Sequence, residues 1–310
     1  MQATEYQAEW ERARGAMQQR DYGAARDGFA RAVDLAGELG EALSARSMVA
    51  RMDTLLGELE RARRRIDQIE AEVFAADAAG EAIPGLSPEV RARIRQVAAI
   101  VTREEGDRVA ATEAFIALYD YCLEHELFTQ AIDAAHHVAI AGDLDQQLVW
   151  AKRGIEAAER GEERGWLAAL WNNLGVTYED AGRFDEALEA YTKARAYHYE
   201  TGGPLQKLIA DWAIGRTHRL GGDLDQARVW LGTALDAAVG LRAETNGDAA
   251  LEWVAYARHE LGLVTLAAGD RAAALSELEA AREVWSEAGL ESWAEGTAEF
   301  DAVLAELRTN

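Results

Sequence analysis

Apolar and polar residues alternate along this chain with a period of about 3.6, break at a glycine-containing turn, and resume. The pattern is clearest in WNNLGVTYEDAGRFDEALEAYTKA, residues 171–194. Trp171, Leu174, Gly175 and Tyr178 fall three, one and three residues apart. That spacing puts large side chains on one helical face, beside a glycine where a neighbouring helix must come close. Gly182 ends the first helix. Phe184, Ala187, Tyr191 and Ala194 then resume helical spacing, so an antiparallel helix pair is predicted.

The same punctuation recurs as RDYGAARDGFARA (20–32), GELERARRRIDQI (57–69), GDRVAATEAFIAL (106–118) and GDLDQQLVWAKRG (142–154). It continues as GRFDEALEAYTKA (182–194), GGDLDQARVWLGTA (221–234) and GDRAAALSELEAA (269–281). A small residue stands seven before the turn glycine in six copies: Ala50, Ala99, Ala135, Gly175, Gly215 and Gly262. Repeats are therefore expected near 6–39, 43–76, 92–125, 128–161, 168–201, 208–241 and 255–288.

The longest gap between turns holds AADAAGEAIPGLSPEV (75–90), read as an extended loop and a candidate subdomain boundary, with Ser87-Pro88-Glu89 starting the next helix. ETGGPLQ (200–206) and RAETNGDAA (242–250) are shorter connectors. Over 289–310, Trp293, Phe300, Val303, Leu304 and Leu307 share one helical face. A stack of repeats leaves an apolar face at its end, so this segment is expected to cap it; a dimerisation helix is the alternative.

The Trp, Leu, Gly, Tyr, Ala, aromatic and Ala positions of 171–194 resemble the tetratricopeptide repeat, a helix–turn–helix unit of about 34 residues. The resemblance covers roughly residues 6–288, and the turns lie 36 to 49 residues apart. Units of this length are similar to those of kinesin light chains and of maltose-regulon activators. The resemblance implies an all-α, right-handed superhelical solenoid of antiparallel helix pairs, about seven repeats plus a C-terminal capping helix.

Composition narrows the function. The three prolines are Pro84, Pro88 and Pro204, in keeping with a helical protein. No run approaches the roughly 18 apolar residues of a membrane span, and the first residues lack the basic-then-apolar order of a secretory signal. A lone cysteine, Cys122, leaves no intramolecular disulfide and no cysteine-based metal site. A cytoplasmic location is expected. The formal charge of −23 discourages nucleic acid and anionic membranes as partners.

No catalytic set emerges, and neither cofactor nor metal is expected. His259-Glu260-Leu261-Gly262-Leu263 begins like a zinc-protease box but has leucine where the second histidine belongs. The adjacent His136 and His137 point to different helix faces. The run ERARRR (60–65) reads as a solvated helix face paired with Glu58, Glu60 and Asp67, or as a small anionic-partner patch.

In the resembled family the first helix of each repeat lines a concave groove. Carried onto this chain, the groove positions are Gln7, Trp10, Arg14 and Met17; Ser44, Ser47, Arg51 and Thr54; and Arg93, Gln96, Ile100 and Arg103. They continue as Thr129, Ile132, His136 and Ala139; Ala169, Asn172, Val176 and Glu179; Ile209, Trp212, Arg216 and Arg219; and Tyr256, His259, Leu263 and Leu266. Six are arginine and one is acidic, so a cationic groove is expected within an acidic protein.

The resemblance thus implies a non-catalytic interaction scaffold for an acidic, carboxylate-bearing or extended peptide or protein segment, of undetermined oligomeric state. The implied contacts are Arg14, Arg51, Arg93, Arg103, His136, Asn172, Arg216, Arg219 and His259. Asn172 with Arg216 and Arg219 is the favoured locus. The opposing reading is that some of these arginines pair with acids on neighbouring helices. A ligand- or peptide-sensing regulatory module is an alternative function, and a response-regulator phosphatase-like enzyme is a third.

Overall fold

The computed structural model describes residues 2–245 and 248–309. Among the described residues it is all helical, without strands, and it divides into two compact units, Met1–Glu163 and Arg164–Asn310. The first unit holds four antiparallel pairs: α1 (Gln2–Gln18) with α2 (Tyr22–Leu35), α3 (Leu39–Leu55) with α4 (Leu59–Ala79), α5 (Pro88–Glu104) with α6 (Arg108–Glu124), and α7 (Phe128–Ala141) with α8 (Leu144–Arg160). The second holds three: α9 (Arg164–Asp180) with α10 (Phe184–Thr201), α11 (Pro204–Leu220) with α12 (Leu224–Thr245), and α13 (Asp248–Ala267) with α14 (Arg271–Glu287). A 3-10 turn (Leu290–Ser292) and α15 (Ala294–Thr309) follow.

The turn glycines work as their spacing implies. Gly106, Gly222 and Gly269 adopt φ of 97°, 86° and 89°, which favours glycine. The aspartate after each caps the next helix: Asp107, Asp223 and Asp270 accept from Ala110, Gln226 and Ala273 N–H at 3.0–3.1 Å. The fourth copy departs from this. Gly142 is extended at φ −87°, and Asp143 forms a capping box with Gln146.

Three of the small residues before the turns mark a close approach within a pair. A Cβ on Gly175 would stand 2.7 Å from the Tyr191 ring, on Gly215 2.7 Å from Leu231, and on Gly262 2.7 Å from Leu278. Each glycine thus fits the residue sixteen later, where the partner helix crosses.

In the first unit, Tyr6, Trp10, Phe29 and Met52 gather α1, α2 and α3 into one core, while Leu43, Ile66, Ile69, Ile94 and Val101 gather α3, α4 and α5. In the second, α15 lays Phe300, Leu304 and Leu307 against Trp285 and Leu278 of α14. Trp293 does not share that buried face. It precedes α15, is 48% exposed, and stacks on Trp285 with ring centroids 5.8 Å apart.

Two boundaries and the burial of one tryptophan differ from expectation. α4 continues through Ala79, so the long loop shrinks to residues 80–87, and Gly40 N–H donates to Pro84 O across it at 2.8 Å. α12 continues to Thr245; Asn246 and Gly247, the centre of the predicted connector, lie outside the described residues. Trp171, expected in the core, is only half-buried, with the Lys193 ammonium 4.0 Å above its ring. The ERARRR face is paired as its sequence implies: Arg61 with Glu58, Arg64 with Glu60 and Arg63 with Asp67. Arg63 also reaches Glu105, and Arg65 holds the fully buried Asp53 at 2.8 Å.

Candidate functional site

In the first unit the helices that open each pair present side chains to a concavity of about 440 Å³. Met17 and Tyr22 come from the first pair; Met48, Arg51 and Leu55 from α3; Arg93, Gln96, Val97 and Ile100 from α5; Asp133 and His137 from α7. Helical spacing explains the α3 set, since residues 48, 51 and 55 fall three and four apart on one face.

The α5–α7 side is a hydrogen-bonded chain. Gln96 Nε2 donates to Asp133 Oδ2, which lies 3.4 Å from His137 Nε2. Arg103 donates from Nη1 to His137 Nδ1 at 2.9 Å, which leaves Nε2 directed toward Asp133. Phe115 stacks on the imidazole at 4.5 Å. Burial pushes the Asp133 pKa up, but the bonds from His137 and Gln96 outweigh it and hold the carboxyl below its usual value.

The arginines of this unit have different degrees of freedom. Arg14 is exposed and bonds Glu11 at 3.1 Å. Arg93 donates to Ser44 Oγ at 2.6 Å, and its guanidinium sits 5.0 Å from the centroid of the Trp10 ring. Arg103 also holds Glu104 at 2.7 Å. Arg51, half-buried in the concavity, has no hydrogen bond or ion pair among the described residues. Burial lowers its pKa, and the nearby Arg103 lowers it further. His136 is exposed and does not line the concavity; His137 does.

The second unit pairs Arg216 and Arg219 internally. Glu179, on α9, accepts from Arg216 Nη1 and from Thr217 Oγ1, the latter at 2.7 Å. Glu260, on α13, accepts from Arg219 Nε at 2.5 Å and lies 3.6 Å from Arg216 Nε. Two guanidiniums and two buried carboxylates therefore form a ladder across α9, α11 and α13 without net charge. Asn172 is half-buried on α9. His259 packs 4.2 Å from Phe300, its Nε2 has no hydrogen-bond partner among the described residues, and burial pushes its pKa down to about 4. It stands neutral at ordinary pH.

Met48, Leu55, Asp133, His137 and Glu260 each sit one residue beyond a projected position. The signal was present in α7: Ile132, Ala135 and Val138 form an apolar row that must face the core, which turns Asp133 and His137 outward together. Likewise Ser47 and Thr54 are buried, their hydroxyls bonded to the backbone oxygens of Ser44 and Ala50 at 2.7 and 2.9 Å. No His, Cys, Asp and Glu group suited to a metal occurs among the described residues, and none of their helices is long and apolar enough to cross a membrane.

Comparison with known proteins agrees with this architecture. Residues 166–238 match the model of the tetratricopeptide repeat. No curated protein matches the chain. Among solved structures, the apo form of RapI is 12% identical with a TM-score of 0.68, over 91% of this chain and 77% of its own. A signal transduction ATPase with a tetratricopeptide repeat sensor, from Pyrococcus horikoshii, is 14% identical with a TM-score of 0.68 over 97% of this chain. This chain spans 43% of that protein. The C-terminal part of a repeat protein from Cytophaga hutchinsonii is 11% identical with a TM-score of 0.57, over 87% of this chain and 93% of its own. The chain carries tetratricopeptide repeats at residues 166–238 and has the fold of tetratricopeptide-repeat proteins.

Proposed function

We propose that the chain is a non-catalytic interaction scaffold that takes an extended, acidic peptide segment of a partner protein on the inner faces of its helix pairs. The observation that carries this reading is the concavity of the first unit, to which α1, α3, α5 and α7 all contribute. A surface assembled from four successive pairs suits a chain laid across them better than a compact metabolite. Both ring nitrogens of His137 are engaged, so its imidazole is positioned as a structural polar group and not as a base.

A peptide array probed with the purified chain tests the reading. Binding to a subset of extended acidic sequences is expected, weakening as salt screens the charges. Gln96→Trp, which fills the concavity, should abolish it while thermal unfolding stays cooperative. Array binding that ignores both salt and Gln96→Trp would overturn the proposal.

A second reading, a sensing module, draws on the likeness in fold to the Pyrococcus protein, whose repeats are described as a sensor. It predicts that a bound peptide changes the spacing of the helix pairs, measurable by small-angle scattering.

A further inference from the structure

The concavity is chemically two-sided. Met17, Met48 and Leu55 give one part of its wall an apolar character, and the Gln96–Asp133–His137 chain gives the other a polar one. Arg51 belongs to both surroundings, within electrostatic reach of Tyr22 on α2 and of Asp133 on α7. A half-buried guanidinium is unusual without a carboxylate, because its lost hydration goes uncompensated. The two acids within electrostatic reach of Arg51 are already committed: Asp133 to Gln96 and His137, and Glu104 to Arg103.

We propose that this concavity is a subsite for an extended peptide bearing a carboxylate, which docks on Arg51, and an apolar side chain two residues away, which docks on Met17, Met48 and Leu55. The assignment rests on the scaffold reading above and narrows it to one place and one sequence pattern. The spacing follows from extended backbone, where alternate residues face the same way. A planar carboxylate matches the two-pronged guanidinium. Asp133 disfavours a phosphate more than a carboxylate, because the second negative charge would lie near its own. The same subsite accepts an aspartate or glutamate side chain or a C-terminal carboxylate, since the recognised group is identical.

Fluorescence polarisation on the full chain tests this with labelled peptides carrying Leu-Gly-Asp, Leu-Gly-Asn, Ala-Gly-Asp or Leu-Gly-phosphoserine, all terminally blocked. A second set ends in a free carboxylate and lacks the acidic side chain. The acidic peptide should bind at least about tenfold tighter than its amide counterpart, as befits a charged hydrogen bond. Arg51→Gln should level the two, and Leu-to-Ala should weaken both. Whichever set shows the discrimination identifies the source of the carboxylate. Arg51→Lys, which keeps charge without the fork, should retain part of it and serves if the glutamine variant unfolds.

Discrimination that survives Arg51→Gln overturns the subsite while leaving the scaffold intact, as does tighter binding of phosphoserine. Array binding to other sequences with none of these bound also overturns the subsite alone. Absence of binding to any arrayed peptide overturns the scaffold reading itself, and the subsite with it.

Discussion

Glu179 of α9 closes directly on Arg216 of α11, so a cation expected to await a ligand is already neutralised by its own protein. Glu179 is 4% exposed at its side chain and Arg216 37%. Glu179→Gln should lower unfolding free energy by about 1–3 kcal/mol, less than for a fully buried pair because solvent screens the arginine. Urea titration measures it. Combining it with Arg216→Met should cost less than the sum of the single changes, because the two act as one unit. Reversing Arg216 and Arg219 to glutamate would set four acids together and unfold this unit, so that pair of changes reports on folding and not on binding.

Gly175→Ala should destabilise by about 1–3 kcal/mol, the usual range for overpacking. The added methyl would stand 2.7 Å from the Tyr191 ring, which is itself buried. Gly165→Ala, where a Cβ meets nothing within 4 Å, is the control and should be neutral or slightly stabilising. Paired thermal melts separate the two.

His259 should make the second unit acid-sensitive. Its folded pKa of about 4 lies below the ordinary 6.5, chiefly through burial, with Arg219 and Arg216 adding to the effect. Between those values the unfolded chain binds a proton that the folded chain refuses, so stability falls as pH drops and this group contributes nothing above the window. The loss is on the order of 2–3 kcal/mol by pH 4. His259→Phe, beside Phe300 and Trp285, should flatten that part of the acid limb relative to the unsubstituted chain.

Gly40→Ala should loosen the α4–α5 loop. A Cβ there would stand 2.0 Å from the carbonyl carbon of Gly85, a backbone atom that cannot swing aside. Faster cleavage within residues 80–87 by a nonspecific protease, with the helical signal kept, is the expected result.

The fold was legible because its determinants are local. A glycine with positive φ, the capping aspartate after it and a small residue seven earlier each act within one helix pair, and each leaves a letter in the chain. The candidate site was less legible because it depends on rotation. A slip of one residue turns an α-helix by about 100°, enough to exchange Ile132 for Asp133 and His136 for His137 on the inner face. The pairing of arginines was less legible still. Glu179 was visible on the projected face, but Glu260 lies next to His259, outside the grid, and nothing in the local pattern says that α13 brings it to Arg219. In α3 the polar letters misled in another way: Ser47 and Thr54 satisfy their hydroxyls on their own helix and disappear into the core.

Within each unit, helices pack mainly on those adjacent or next-but-one in the chain. Few long loops must close before contact is rewarded, so folding should start at any well-formed pair and spread, with low contact order and rapid kinetics. The same arrangement lets terminal pairs fray while inner ones hold, giving amide protection that rises from the end of a unit inward. A segment bound across α3, α5 and α7 would staple three pairs that otherwise open in sequence, and its footprint would be written in slowed exchange on helices it never touches.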